Sequence, residues 1–209
     1  MLAQLDPRRL LARCVRCGLR GTVLCPECLR FPLTTSRTPV GLPVFALGRY
    51  DGHLADCVRR LKYHDETHLA YPLGRALREL TARSRIDLSG AALLPVPLHP
   101  LRLAERGYNQ SALIGRHLVG PSGARLETSC LVRTEVRTAQ ALLSAAERRA
   151  NLDGAFAARV ARARSVGSPV FLLDDVVTTG STADSCATAL RAIGLGVTGV
   201  LACAVAQSA

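Results

Sequence analysis

The segment Val170-Phe-Leu-Leu-Asp-Asp-Val-Val-Thr-Thr-Gly-Ser-Thr182 constrains the fold of this chain more than any other stretch. Val170 to Leu173 are all apolar, which suits a strand buried on both faces, as in parallel sheets. Two carboxylates, Asp174 and Asp175, follow at its carboxyl end. Val177, Thr178, Thr179, Gly180, Ser181 and Thr182 then lead into a helix with the apolar stripe Ala183, Cys186, Ala187, Leu190 and Ile193. In open α/β sheets, ligands bind at the carboxyl edge of such a strand. Glycine lets backbone come close, and the first N–H groups of a helix point at an anion that the helix dipole favours. The hydroxyls add donors. The aspartates suit ribose hydroxyls, or Mg²⁺ held through water. The chemistry fits a ribose 5-phosphate. A receiver-like or haloacid-type acidic site, or a plain helix cap, would share parts of this pattern but not all of it. Because both aspartates fall at a sheet edge, the fold is expected to tolerate the removal of both.

The remaining elements alternate in the same way. Pro43 to Tyr50 reads as a strand. Leu54, Cys57, Val58 and Leu61 form a helix stripe, and a second helix begins near Leu69 with Leu73, Leu77 and Leu80 on one face. Ala91 to Val96 reads as a buried strand. A basic, turn-rich stretch from His99 to Gln110 leads into a helix ending near Val119. A short strand is expected near Cys130, and Ser144 to Glu147 has capping-box spacing. Val197 to Val205 closes the chain as a strand. Strands alternating with helices indicate an α/β fold with a mostly parallel sheet flanked by helices.

The net charge of +11 draws phosphates, whether of a nucleotide or of a nucleic acid. Aromatic residues make up only 4% and Trp is absent, which counts against a base-stacking platform. Among the 27 basic residues only Lys62 is a lysine. A compact ammonium suits a phosphate ligand; drift at a surface position explains it equally well. No charge-free apolar run reaches 18 residues and no signal-peptide core precedes the first charges, so a soluble, cytoplasmic chain without membrane insertion is expected.

Residues 1–37 differ from the rest of the chain. They hold Cys14-x₂-Cys17 and Cys25-x₂-Cys28, two pairs able to offer four thiolates in the tetrahedral arrangement of structural Zn²⁺. Arg13, Arg16 and Arg20 offset thiolate charge. Two disulfides, an iron–sulfur cluster or a redox pair remain alternatives, the first disfavoured in the cytoplasm. The expected division is a cysteine-cluster zinc-binding module over 1–37 and a second domain over 38–209, with Thr34 to Pro39 as the connecting loop. Cys57, Cys130, Cys186 and Cys203 read as small core residues. His64 and His68 lie in a polar turn without metal spacing.

The 170–182 segment resembles the phosphoribosyl pyrophosphate (PRPP) signature of type I phosphoribosyltransferases. Tyr50-Asp-Gly, Leu61-Lys-Tyr63, Pro95-Val-Pro-Leu98, Arg102, Glu105-Arg-Gly-Tyr-Asn-Gln110, Thr138-Ala-Gln140, Arg148-Arg-Ala-Asn151 and Gly154-Ala-Phe156 narrow the match. Together they are similar to the ComF family, which is associated with DNA uptake in competent bacteria. The resemblance implies a type I phosphoribosyltransferase-like fold and an N-terminal zinc finger. It also implies a PRPP site, with Mg²⁺, that includes Lys62, Val96, Pro97, Leu98, Arg102, Arg106 and the 174–182 residues. Val96 to Leu98 would form the pyrophosphate loop, with Asn109 and Gln110 close by. Residues 133–151 would form a covering loop in which Arg137 and Gln140 act with Asp174 and Asp175. Three functions stay open: a phosphoribosyltransferase, a non-catalytic module that senses PRPP or handles single-stranded DNA, or a docking role of the zinc module for a partner such as an uptake helicase.

Overall fold

A computed structural model describes residues 13–29, 33–134, 155–163 and 166–206. In chain order the strands are β1 (Thr34–Arg37), β2 (Pro43–Arg49), β3 (Ala92–Pro95), β4 (Arg125–Leu126), β5 (Leu131–Arg133), β6 (Phe156–Ala158), β7 (Val170–Val177) and β8 (Val197–Val205). The helices are α1 (Pro26–Leu29), α2 (Gly52–Tyr63), α3 (Ala70–Arg83), α4 (Pro100–Arg106), α5 (Gln110–Val119), α6 (Val160–Ala163) and α7 (Ser181–Arg191). Six strands form the main sheet in the order β1-β2-β8-β7-β3-β4. All its pairings are parallel except β1 with β2. β5 and β6 form a separate antiparallel ribbon.

Alternation along the strands sorts the core into two layers. Phe171, Leu173, Leu93 and Leu201 face α2, α3 and α5 through Leu54, Val58, Leu61, Leu73, Leu77 and Ile114. Val170, Leu172, Leu94, Val200 and Ala202 face α7 and the β5–β6 ribbon through Cys186, Leu190, Leu131 and Phe156. The helix stripes expected over 54–61, 69–80 and 183–193 therefore bury against the sheet. Cys57, Cys130, Cys186 and Cys203 are all buried core residues.

Two elements differ from the sequence expectation. Thr34 to Arg37 is not a loop: it zips onto β2 from Thr34↔Ala46 to Arg37↔Pro43. As an edge strand it is largely exposed, so it carries no apolar alternation to reveal it. β7 also does not stop at Leu173. It runs on to Val177 because Asp174 to Val177 continue the ladder with Ala202 to Val205 of β8. The acidic pair therefore lies within the strand rather than after it. Cys14, Val15, Leu24, Cys25 and Cys28 share one apolar cluster with Leu47, Leu54 and Cys57, so residues on both sides of position 37 pack into a common core. Among the described residues no helix is long and apolar enough to cross a membrane.

Candidate functional site

Successive residues of a strand point to opposite faces, and this separates the roles of Asp174 and Asp175. Asp175 is buried on the α2 side, where its Oδ1 accepts from Lys62 Nζ at 2.7 Å. The one lysine of the chain is thus the internal partner of the second aspartate. Lys62 sits in the last turn of α2, where the helix dipole also favours a cation. Burial pulls the ammonium's pKa down, but Asp175 and then Asp174 more than offset this and hold it above the ordinary lysine value. Asp175 Oδ2 is buried without a hydrogen-bond partner among the described residues.

Asp174 is half-buried and has no cation at ion-pair distance among the described residues. Its Oδ1 accepts from the Asp175 N–H at 2.8 Å and from Ser111 Oγ at 3.5 Å. Burial, and then the charge of Asp175, push its carboxyl up to about 7. Ser111, at the start of α5, was not picked out from the sequence. Nothing local marks it, because the strand and the helix meet only in the tertiary fold.

Beyond β7 the chain turns through Thr178 and Thr179 to Gly180, the cap of α7. Gly180 has φ +82, and a Cβ there would lie 2.9 Å from Thr38 Cβ, so both conformation and space require glycine. Among the described residues no side chain caps α7. Ser181 N–H makes only a long contact with Thr179 Oγ1, at 3.4 Å. The other first-turn amides have no intrahelical acceptor. The turn after β1 rests against this end of α7: Val40 N–H donates to Asp184 Oδ2 at 3.2 Å. Thr38 and Asp184 were likewise not foreseen; Asp184 reads in sequence as an ordinary first-turn acid.

The loop after β3 lies alongside, with Val96 N–H donating to Leu173 O at 2.9 Å. Val96 is buried, while Pro97 and Leu98 are partly exposed. Arg102 is exposed on α4. Arg137, Gln140 and the capping-box residues Ser144 to Glu147 lie outside the described residues.

The cysteine cluster is a second constellation. The Sγ atoms of Cys14, Cys17, Cys25 and Cys28 all lie within 4.8 Å of one another, a set that can hold a metal ion such as zinc. Cys17 Sγ and Cys25 Sγ are 3.6 Å apart. A disulfide requires ~2.05 Å, and a zinc tetrahedron with ~2.3 Å bonds places its sulfurs about 3.8 Å apart. Backbone N–H groups turn toward the sulfurs, Cys25 N–H to Cys14 Sγ at 3.5 Å and Cys28 N–H to Cys25 Sγ at 3.4 Å. Burial raises the Cys25 and Cys28 thiols above their usual range.

No protein-family model matches the chain. Over 189 residues it is 30% identical to competence protein F of Haemophilus influenzae, spanning 86% of this chain and 80% of that protein. The chain belongs to the ComF family. Its ComF relatives include the DNA utilization protein YhgH of Escherichia coli O6:H1, 31% identical over 181 residues (81% of this chain, 78% of the relative). The protein of that name in Salmonella typhimurium is 30% identical, over 84% of this chain and 76% of the relative. Several motifs behind the ComF resemblance act here as fasteners. Tyr108 Oη donates to Leu61 O at 2.5 Å, tying the α4–α5 turn to the end of α2 that carries Lys62. Asn109 Nδ2 donates to Val96 O at 2.9 Å, and Asn109 Oδ1 caps α5 by accepting from Ala112 N–H at 3.2 Å. Arg106 donates to Gln110 Oε1 at 2.5 Å and lies over the Tyr63 ring at 5.5 Å. Its guanidinium is therefore already engaged within the protein.

Proposed function

We propose that this ComF chain is a phosphoribosyltransferase-like protein that binds PRPP or a related ribose phosphate at the carboxyl edge of its sheet. One observation carries the reading: Asp174, which lacks an ion-pair partner among the described residues, lies in the carboxyl half of the same central strand whose following turn opens α7 without a side-chain cap among those residues. The α7 amides with Thr178, Thr179, Ser181 and Thr182 take the 5-phosphate. Asp174 accepts from ribose hydroxyls. Asp175 and Lys62 hold β7 and α2 in register beneath them. Asp175 does not fit direct coordination of Mg²⁺, because one of its oxygens is held by Lys62 and the other is enclosed. In this reading Mg²⁺ arrives on the ligand's diphosphate. Transfer of the ribosyl group passes through a cationic sugar, which a preorganised anionic and hydroxyl-binding site stabilises. The cysteine cluster holds structural Zn²⁺ in an N-terminal module that precedes β1 and packs on the layer of Leu47 and Leu54.

Calorimetric titration with ribose 5-phosphate and with PRPP tests this. The wild type is expected to bind both, and Asp174→Asn to weaken binding about 10- to 100-fold, the loss of hydrogen bonds to a charged acceptor. Undiminished affinity in the variant would move the site elsewhere. The same variant has a second signature. A carboxyl raised from 3.8 to about 7 in the folded state keeps its proton where the unfolded chain has released it. Its contribution is complete below the unfolded value and is lost as pH rises through the folded one. Asp174→Asn is therefore expected to melt with the wild type near pH 4 and above it near pH 8.

A role in DNA uptake or use is supported by the relatives named competence protein F and DNA utilization protein, and by the +11 charge. With few aromatic residues, contact would run through phosphates. Binding of a single-stranded oligonucleotide is expected to fall steeply with salt, and no binding at about 50 mM salt would remove DNA as a direct partner.

A further inference from the structure

We infer that Arg133, mounted on the β5–β6 ribbon and backed by the Phe156 ring, is a binding residue for the second anionic group of the ligand, its diphosphate end. This rests on the ribose phosphate reading above and extends it to a residue that was only the boundary of the expected covering loop.

Arg133 stands opposite Phe156 in the ribbon register, with its guanidinium carbon 5.3 Å from the ring centroid. The ribbon packs on the face of the sheet that carries Leu172, through Leu131, Phe156 and Cys186. Asp174 is two residues beyond Leu172 and shares its face. The buried thiol of Cys186, in the same apolar layer as Leu172, is pushed up by burial and by the charge of Asp174 and drawn down by that of Arg133. Arg133 is half-buried, yet among the described residues its guanidinium has no carboxylate partner and no hydrogen-bond acceptor. Burial lowers its pKa and the charge of Arg102 lowers it further. The Arg133 guanidinium is thus held partly out of water with no anion beside it among the described residues. A cation taken out of water without a partner is costly. The aromatic face offsets part of that cost and fixes the plane of the fork. A fixed fork with free N–H groups matches the oxygens of a phosphate. α7 supplies the site for one phosphate, Asp174 the hydroxyl acceptor, and Arg133 with Arg102 the site for the second.

The test compares Arg133→Met, which keeps length and apolar contact, with the wild type. The probes are inorganic pyrophosphate and ribose 5-phosphate, read by calorimetry. Pyrophosphate affinity is expected to fall about 10- to 100-fold and ribose 5-phosphate affinity to change by less than about twofold. Without ligand the variant is expected to melt no lower than the wild type, because an unpaired, half-buried charge has gone. Arg133→Lys, which keeps the charge but lacks the fork, is expected to fall between the two. Equal pyrophosphate affinity in the wild type and both variants overturns the inference alone. Equal loss of both probes also overturns it, since that marks a general change rather than a contact. A wild type that binds neither probe sinks the ribose phosphate reading, and this inference with it.

Discussion

Asp175→Ala is expected to destabilise the fold by about 3–5 kcal/mol, the cost of leaving one member of a buried ion pair alone. The melting temperature of a chain of this size should drop by about 10–15 °C. From the sequence, both aspartates read as edge residues removable without harm. The structure gives the opposite expectation for Asp175, whose side chain is 3% exposed and sits 2.7 Å from the ammonium of Lys62, a side chain itself only 18% exposed. Removing the carboxylate leaves Lys62 charged and enclosed. The double variant Lys62→Met with Asp175→Leu is expected to recover most of the loss, because well-packed apolar pairs often match or exceed buried ion pairs. Thermal melts of the single and double variants decide the matter. A single variant that melts within about 2 °C of the wild type would mean that the pair contributes nothing to the fold. The contrast with Asp174→Asn is sharp: the first aspartate is expected to matter for the ligand, and the second for the framework that presents it.

Removing metal from the cysteine cluster is expected to have an effect of similar size that spreads beyond the cluster. If Zn²⁺ holds the four sulfurs, its binding free energy is part of the folding free energy. Cys14, Val15, Leu24, Cys25 and Cys28 bury against Leu47, Leu54 and Cys57 of the sheet and α2. Loss of the ion should therefore loosen the layer that carries Lys62 as well as the knuckles themselves. A strong chelator should lower the melting temperature by about 10 °C, and added Zn²⁺ should restore it. Metal analysis of the purified protein should find one zinc per chain. Binding must displace protons from Cys25 and Cys28, whose thiols burial raises, so metal affinity is expected to weaken as pH falls. A protein that is metal-free as purified and melts identically with and without chelator would return the cluster to its alternatives.

How much of the site was legible depended on the range of the interaction that makes it. The 170–182 segment is local: an apolar run, two acids, a hydroxyl-rich turn and a helix stripe lie in one continuous stretch, and each leaves its own pattern. The CxxC pairs are local in the same sense. Lys62 stood out only by its rarity, and composition could not say what it faced. Thr38, Ser111, Arg133 and Asp184 left no signal, because each takes its role from a partner far away in sequence. β1 escaped notice because an exposed edge strand has no apolar alternation.

The sequence by itself determined the alternation of strands and helices, the strand that carries the acidic pair, the glycine-bearing turn after it, and four cysteines at metal-binding spacing. These follow from periodicity and backbone chemistry, which act over a few residues. Only the tertiary structure decided that one aspartate stays without a cation among the described residues while its neighbour is locked to Lys62. The alternation of a strand puts adjacent side chains on opposite faces, and what waits on each face depends on which helix packs there. The same holds for Arg133, whose separation from the described carboxylates arises when the ribbon docks over α7.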